Sequence, residues 1–477
     1  MTMLFTSMAF FGFITIVLLI YPRLHLRGQN IFLLASSYSF YGYWDWRFLF
    51  LLFTSTAVDF WAANSIQRSE DIRHRRLFLL ASIAVNLGIL GFFKYYNFFL
   101  DSAVSVLGYM GLKANTPVLK IVLPIGISFY TFKTMAYTID VYRRNIAPTN
   151  HFIEYALFVS FFPQLLAGPI DKAKKFLPQI SAPRSITRAK ILTGLNLILV
   201  GYFKKVAIAD TLAPIADNIF GDPGGMSSGQ LWTGVYAYTF QIYGDFSGYT
   251  DIARGISLLL GFETIENFNA PYLSRNITEF WRRWHISLST WFRDYVYIPL
   301  GGNRCGRARM HGNLIFTMLL CGLWHGAAWT FVLWGALHGV YLILHRMVKG
   351  EGGRGFSWLL SLPLWAKDLA KIFLTFHVVA LTWILFRASN FEIVLQYFQG
   401  LFGFGLFTGL SIPVLFACSL LIALDAVRVH LASNTWLSDR QNFSVVRYAV
   451  AGVMLVSVIA ASIGHLGTVT PFIYFQF

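Results

Sequence analysis

Trp324-His325-Gly326 stands inside the apolar run 313–345, NLIFTMLLCGLWHGAAWTFVLWGALHGVYLILH, and His285 stands in EFWRRWHISLSTWFRDYVYIPLGGNR, residues 279–304. A histidine in so apolar a run needs a hydrogen-bond partner or a wet cavity, and by default it marks a functional site. Imidazole titrates near neutrality, so it takes a proton from an attacking hydroxyl and returns it to a leaving thiolate. Two such residues, one beside an arginine cluster and one in a glycine-flanked turn, suit acyl transfer. Zinc asks for three or four converging ligands, and the chain has no HExxH and no close histidine pair. A serine-hydrolase reading lacks its GxSxG elbow. No metal is expected. His338 points to a different face from His325 on a straight helix, and reads as a packed histidine bonded to a backbone carbonyl.

These side chains must be carried by helices. At about 100° per residue, Trp281, Trp284, Leu288, Trp291 and Tyr295 form one apolar stripe. His285 falls on its edge, with Arg282, Ser289 and Arg293 together just beyond it. One helix is therefore expected through this stretch, ended by Pro299-Leu300-Gly301-Gly302. The same pattern fits an interfacial amphipathic helix, with Trp at headgroup depth and Arg toward lipid phosphates. In the second run, Gly322 and Gly326 are four apart, as are Gly335 and Gly339, a spacing that lets another backbone approach closely.

The rest of the chain is built for lipid. Of its 477 residues 56% are hydrophobic and only 13% are charged, against about 25% charged in soluble domains. Apolar segments lie at 4–21, 31–43, 48–63, 77–100, 121–142, 152–167, 191–209, 231–243, 252–261, 313–345, 372–386, 412–427 and 445–463. The expectation is an all-α polytopic integral membrane protein with roughly 10–13 transmembrane or re-entrant helices. The net charge of +16 gathers between apolar segments, which argues for retained cytoplasmic loops rather than for nucleic acid. Arg23 and Arg27, then Arg68, Arg73, Arg75 and Arg76, mark alternate loops as cytoplasmic and the N-terminus as external. The first 21 residues read as a retained helix, not a signal peptide. Cys305, Cys321 and Cys418 show no metal or disulfide spacing.

Polar groups also interrupt the apolar segments. Pro163, Gly168 and Pro169 break FFPQLLAGPI next to Gln164, and Gln241, Asp245 and Asp251 punctuate FQIYGDFSGYTD. Those carboxylates either face a cavity or partner at membrane depth, or belong to a short extramembrane turn around Gly244 and Gly248. No repeat divides the chain. The one flexible-looking joint is 351–354, and a single domain over 1–477 is expected, with its catalytic region at about 121–345 and C-terminal helices from about 366.

The blocks MAYTIDVYRR (135–144), FFPQLLAGPI, QIYGDFSGYTDIARG, FWRRWHISLSTWFRDYVYIPLGGNR and LWHGAAWTFVLWGALHG resemble the membrane-bound O-acyltransferase superfamily. Within it they are most similar to the alginate O-acetylase membrane-subunit type. The resemblance runs from about residue 4 to about 387, and the last ninety residues are weakly diagnostic. It implies helices around a central tunnel, with His325 as general base and His285 as an orienting or oxyanion-stabilising partner. It also implies acetyl-CoA as donor from the cytoplasmic side, with no permanently bound cofactor. Arg282, Arg283 and Arg293, with Ser289 on the same flank, would meet the donor phosphates; Lys172, Lys174 and Lys175 read instead as topology signals. Expected partners are membrane lipid, periplasmic SGNH-type acetyl-transfer proteins and polysaccharide biosynthesis and export machinery, at the bacterial inner membrane. Two alternatives predict different features. D-alanyl transfer to teichoic acid predicts a carrier-protein gene nearby, and a polysaccharide or lipid-linked sugar transporter predicts inverted repeats, which are not evident.

Overall fold

The computed structural model describes residues 3–113, 119–350, 363–403, 405, 408–433, 441–464 and 472–473. The joint at 351–354 lies outside the described residues. Among those described, the ordered elements are helices: α1 (Met8–Ile20), α2 (Leu26–Asp45), α3 (Leu49–Arg68), α4 (Ile72–Leu90), α5 (Tyr96–Tyr109), α6 (Ile127–Tyr142), α7 (Phe152–Ser160), α8 (Phe162–Leu165), α9 (Ala173–Ser181) and α10 (Arg188–Tyr202). They continue as α11 (Asp210–Gly221), α12 (Ser228–Leu259), α13 (Ile277–Arg283), α14 (Ile286–Phe292), α15 (Arg307–His325), α16 (Trp329–Gly350), α17 (Leu364–Arg387), α18 (Phe391–Leu401), α19 (Ile412–Ser433) and α20 (Gln441–Gly464). Six helical stretches are long and apolar enough to cross a membrane: Leu26–Arg68, Ile72–Tyr109, Arg188–Gly221, Trp329–Val348, Leu364–Arg387 and Ile412–His430. The protein is an all-α, multi-pass membrane protein.

The chain packs as two compact units, Met1–Leu195 with Ala253–Ile265, and Asn196–Ile252 with Glu266–Phe477. In the first, polar side chains clamp apolar helices together. Asp59 of α3 is fully buried. It accepts hydrogen bonds from Ser82, from Asn86 at 2.7 Å and from Thr138 of α6 at 3.1 Å. Each such bond is strong where water is absent, and leaving one unmade is costly. α6 is buried on nearly every face, its polar side chains included, so those groups must find partners inside the protein. Its Lys133 donates to Gln164 Oε1 at 3.0 Å, and Gln164 Nε2 donates to Asp171 at 2.7 Å. The glutamine in FFPQLLAGPI is thus the middle member of a buried chain of polar groups.

In the second unit the residues around Asp245 and Asp251 form no turn. They belong to the continuous α12, which joins the two segments expected at 231–243 and 252–261. Lys204 and Lys205, in the π-helical stretch Phe203–Ala209, neutralise both carboxylates. Lys204 Nζ lies 2.9 Å from Asp251, and Lys205 Nζ lies 2.8 Å from Asp245 and 2.8 Å from Asp210. Gly248 supplies close approach rather than a bend, since a Cβ there would sit 2.7 Å from the carbonyl oxygen of Gly201.

Candidate active site

The helix expected across 281–295 is broken at the histidine. α13 ends at Arg283, α14 begins at Ile286, and His285 between them has a left-handed backbone, φ 43°. The break has a local cause that helical periodicity could not reveal. Asn267 accepts from Ile286 N through its backbone oxygen at 2.9 Å, and its side-chain oxygen accepts from Ser287 N and Ser287 Oγ at 3.1 and 2.9 Å. Asn269 N donates to Arg283 O at 3.0 Å. These bonds outcompete the ladder of a continuous helix and hold His285 in a conformation that histidine tolerates better than most residues do. Asn276 caps the start of α13 by accepting from Glu279 N at 2.9 Å.

The aromatic stripe survives the break, but it faces protein. Trp281, Trp284, Leu288, Trp291 and Tyr295 are all buried, and His285 is 0% exposed. That excludes a helix lying in the headgroup region with this face toward lipid. The His285 ring packs edge-on against Phe246, with centroids 4.7 Å apart, and beside Trp324 at 5.9 Å. Burial pushes its pKa down to about 3, so the imidazole stays neutral at physiological pH.

His325 arrives from a different element. It is the last residue of α15, where Gly326 takes an extended backbone. A Cβ on Gly326 would come within 2.1 Å of the Phe331 ring, so glycine here lets that ring pack directly against the link into α16. α15 and α16 then pack as a hairpin. A Cβ on Gly322 would lie 2.2 Å from Phe331 O, and one on Gly335 would lie 2.2 Å from Met318 O. The glycine spacing thus serves packing of the run against itself. His325 is buried among Trp324, Trp334 and Phe386, with ring centroids at 5.0, 5.2 and 5.2 Å. Its ring and that of His285 are 6.4 Å apart.

His338 is packed, as expected, but its partners are side chains rather than a backbone carbonyl. Its Nδ1 accepts from Trp281 Nε1 at 3.2 Å, and its Nε2 meets Thr382 Oγ1 at 3.0 Å. Thr382 spends its own proton on Val379 O at 2.7 Å, so Nε2 carries the hydrogen. Both ring nitrogens are committed. Trp334 separates this ring from the site, 4.6 Å from His338 and 5.2 Å from His325.

The arginines are placed less simply. Arg282 is exposed. Arg283 is paired to Glu279 at 2.7 Å, and Arg293 to Asp294 at 2.7 Å. Ser289 turns its hydroxyl onto Trp284 O at 3.2 Å. The break between α13 and α14 removes the single helical flank that Arg282, Ser289 and Arg293 were expected to share. Sequence reasoning missed Asn267, Phe246, Trp334 and Phe386. Aromatics scattered through apolar runs carry no periodic signal for which of them will surround a distant histidine.

Residues 143–350 match the family model described as MBOAT, membrane-bound O-acyltransferase family. The chain is 38% identical to the probable alginate O-acetylase AlgI of Azotobacter vinelandii, over the whole of both chains. The chain belongs to the membrane-bound O-acyltransferase family. The AlgI of Pseudomonas aeruginosa is 40% identical over 89% of this chain and 82% of its own. The peptidoglycan O-acetyltransferase of Helicobacter pylori is 37% identical over 83% and 79%. This membrane-bound O-acyltransferase is thus an enzyme, and both histidines fall inside the region that matches the family model.

Proposed function

We propose that this enzyme takes acetyl groups from a cytoplasmic thioester, acetyl-CoA, and passes them across the inner membrane for O-acetylation of an exported polysaccharide such as alginate. The observation that carries the reading is the convergence of His285 and His325, from separate helices, within one buried aromatic enclosure. The similarity to alginate O-acetylases along the full chain supports acetyl as the group and a polysaccharide as its destination.

In this mechanism the acceptor oxygen attacks the thioester carbonyl while His325 takes the hydroxyl proton. The C–S bond then breaks, and the imidazolium returns that proton to the leaving thiolate, giving an ester and a free thiol. His285, held neutral by burial, offers an N–H to the oxygen that becomes negative in between. Exclusion of water by the surrounding aromatic rings strengthens that interaction. Arg282 is exposed and can meet donor phosphates directly, while Arg283 and Arg293 would have to exchange Glu279 and Asp294 for them. A periplasmic SGNH-type protein receives the acetyl group and carries it to the polymer.

The test is the O-acetyl content of surface polysaccharide in cells carrying His325→Ala, His285→Ala or His338→Ala, with membrane levels checked by immunoblot. Loss of acetylation in His325→Ala at normal protein level is expected. Retention of acetylation there would overturn the assignment.

A further inference from the structure

A cavity of about 340 Å³ opens in the first unit between the end of α3, the start of α4 and the loop after α6. Its lining includes Gln67, Ser69, Arg75, Arg144 and Ile146, and no carboxylate is among the lining residues. Two arginines therefore line a concave, largely polar space, while Asp71 in the same loop turns its carboxylate to Arg73 N at 2.9 Å and His74 Nδ1 at 3.0 Å.

Arg75 is the less ordinary of the two. It is only 7% exposed. Its Nη2 donates to Tyr142 O at 2.9 Å, and its guanidinium lies over the Tyr142 ring, 5.6 Å from the centroid. Its Nε is buried and has no hydrogen-bond partner among the described residues. Burying a guanidinium donor with nothing to accept from it is costly. Arg144 carries a second cost. It has φ 59°, the left-handed position just past a helix end where glycine is favoured, and a side chain there costs about 1–2 kcal/mol. The nearest carboxylate in sequence on that side, Asp140, is bonded to Asn145 Nδ2 at 2.9 Å. The loops that build the cavity are among those whose arginines mark them as cytoplasmic.

We infer that this cavity is an anion site that binds a phosphate ester, held by the Arg75 and Arg144 guanidinium groups with Gln67 and Ser69 as further polar contacts. Guanidinium presents the paired donors that phosphate oxygens accept. The inference does not rest on the acetyl-transfer reading and uses none of its residues. The ester comes either from a soluble nucleotide-type compound or from an anionic phospholipid headgroup.

Two arms distinguish the sources, with intact protein in each. In detergent, calorimetric titration with uridine 5′-monophosphate, a nucleotide that is no part of the proposed thioester donor, measures the soluble arm. In nanodiscs of phosphatidylcholine with phosphatidylglycerol, native mass spectrometry measures retained anionic lipid. Arg144→Gln, at an exposed position, and Arg75→Gln are each expected to weaken one of these signals at least tenfold. Arg68→Gln, an exposed neighbour that does not line the cavity, is expected to leave both unchanged. The arm that responds names the source. If monodisperse Arg144→Gln protein keeps both signals, or if Arg68→Gln loses as much, the site does not exist as described.

Discussion

His285 and His325 lie with ring centroids 6.4 Å apart, although one stands in a link between two helices and the other on the last residue of a third. His285 occupies the left-handed link between α13 and α14, and His325 closes α15 against Gly326. Both imidazoles are therefore aimed by backbone breaks. Their precision depends on the residues that enforce those breaks.

His325→Ala should lower acetyl transfer by about 10²–10⁴-fold, the usual contribution of a general acid–base group. His338→Ala should instead cost stability, about 2–4 kcal/mol, because Trp281 Nε1 and Thr382 lose their buried partner. Activity per folded molecule, from purified protein normalised by thermal melts, separates the two effects.

His285→Asn should retain more activity than His285→Ala. Asparagine both tolerates a left-handed backbone and keeps a hydrogen-bond donor. Asn267→Ala should resemble a mild His285 defect, because Ser287 N and Oγ lose their shared acceptor. A lower kcat at similar donor KM in both variants is the expected result.

Acid should destabilise the fold partly through His285. Its imidazole stays neutral in the native state because burial depresses its pKa from 6.5 to about 3, whereas in the unfolded chain it takes up a proton below about 6.5. The unfolded state binds more protons between those values, so stability falls as pH drops from 6.5 toward 3, by at most about 2 kcal/mol at pH 5. The melting temperature of His285→Asn should therefore decline less steeply over pH 6.5–5 than that of the parent. Parallel curves would show that the histidine is protonated in the native state.

Gly326→Ala should damage the site without touching its chemistry. The added Cβ would lie 2.1 Å from the Phe331 ring, so either that buried ring or the link carrying His325 must give way. A loss of about 1–3 kcal/mol in stability is expected, with acetyl transfer falling at least tenfold in melts and assays of the same preparation.

Lys204→Met and Asp251→Asn test the buried pairs on α12. Each single change takes from a buried charge the opposite charge 2.9 Å away, at a cost of about 3–5 kcal/mol. The double variant should recover much of that loss. Additive losses in detergent melting curves would mean the pair is not coupled.

The sequence alone determined the class of the protein and singled out His285 and His325 as candidates. Apolar segments separated by basic loops can only be satisfied by helices in a bilayer, because lipid leaves no other partner for the backbone. A histidine in such a segment needs a buried partner or a wet cavity, which singles it out as a candidate. Periodicity also identified the stripe Trp281, Trp284, Leu288, Trp291 and Tyr295, since burial selects for it even across a broken helix. Only the tertiary structure decided where that helix breaks, which carboxylates find lysines, and that Trp334 keeps His338 apart from His325. Those outcomes depend on partners distant in the chain, such as Asn267 for Ser287 and Lys204 for Asp251. A local pattern reports which face of an element is apolar, whereas hydrogen bonds and ion pairs to remote segments decide how the backbone bends to satisfy them.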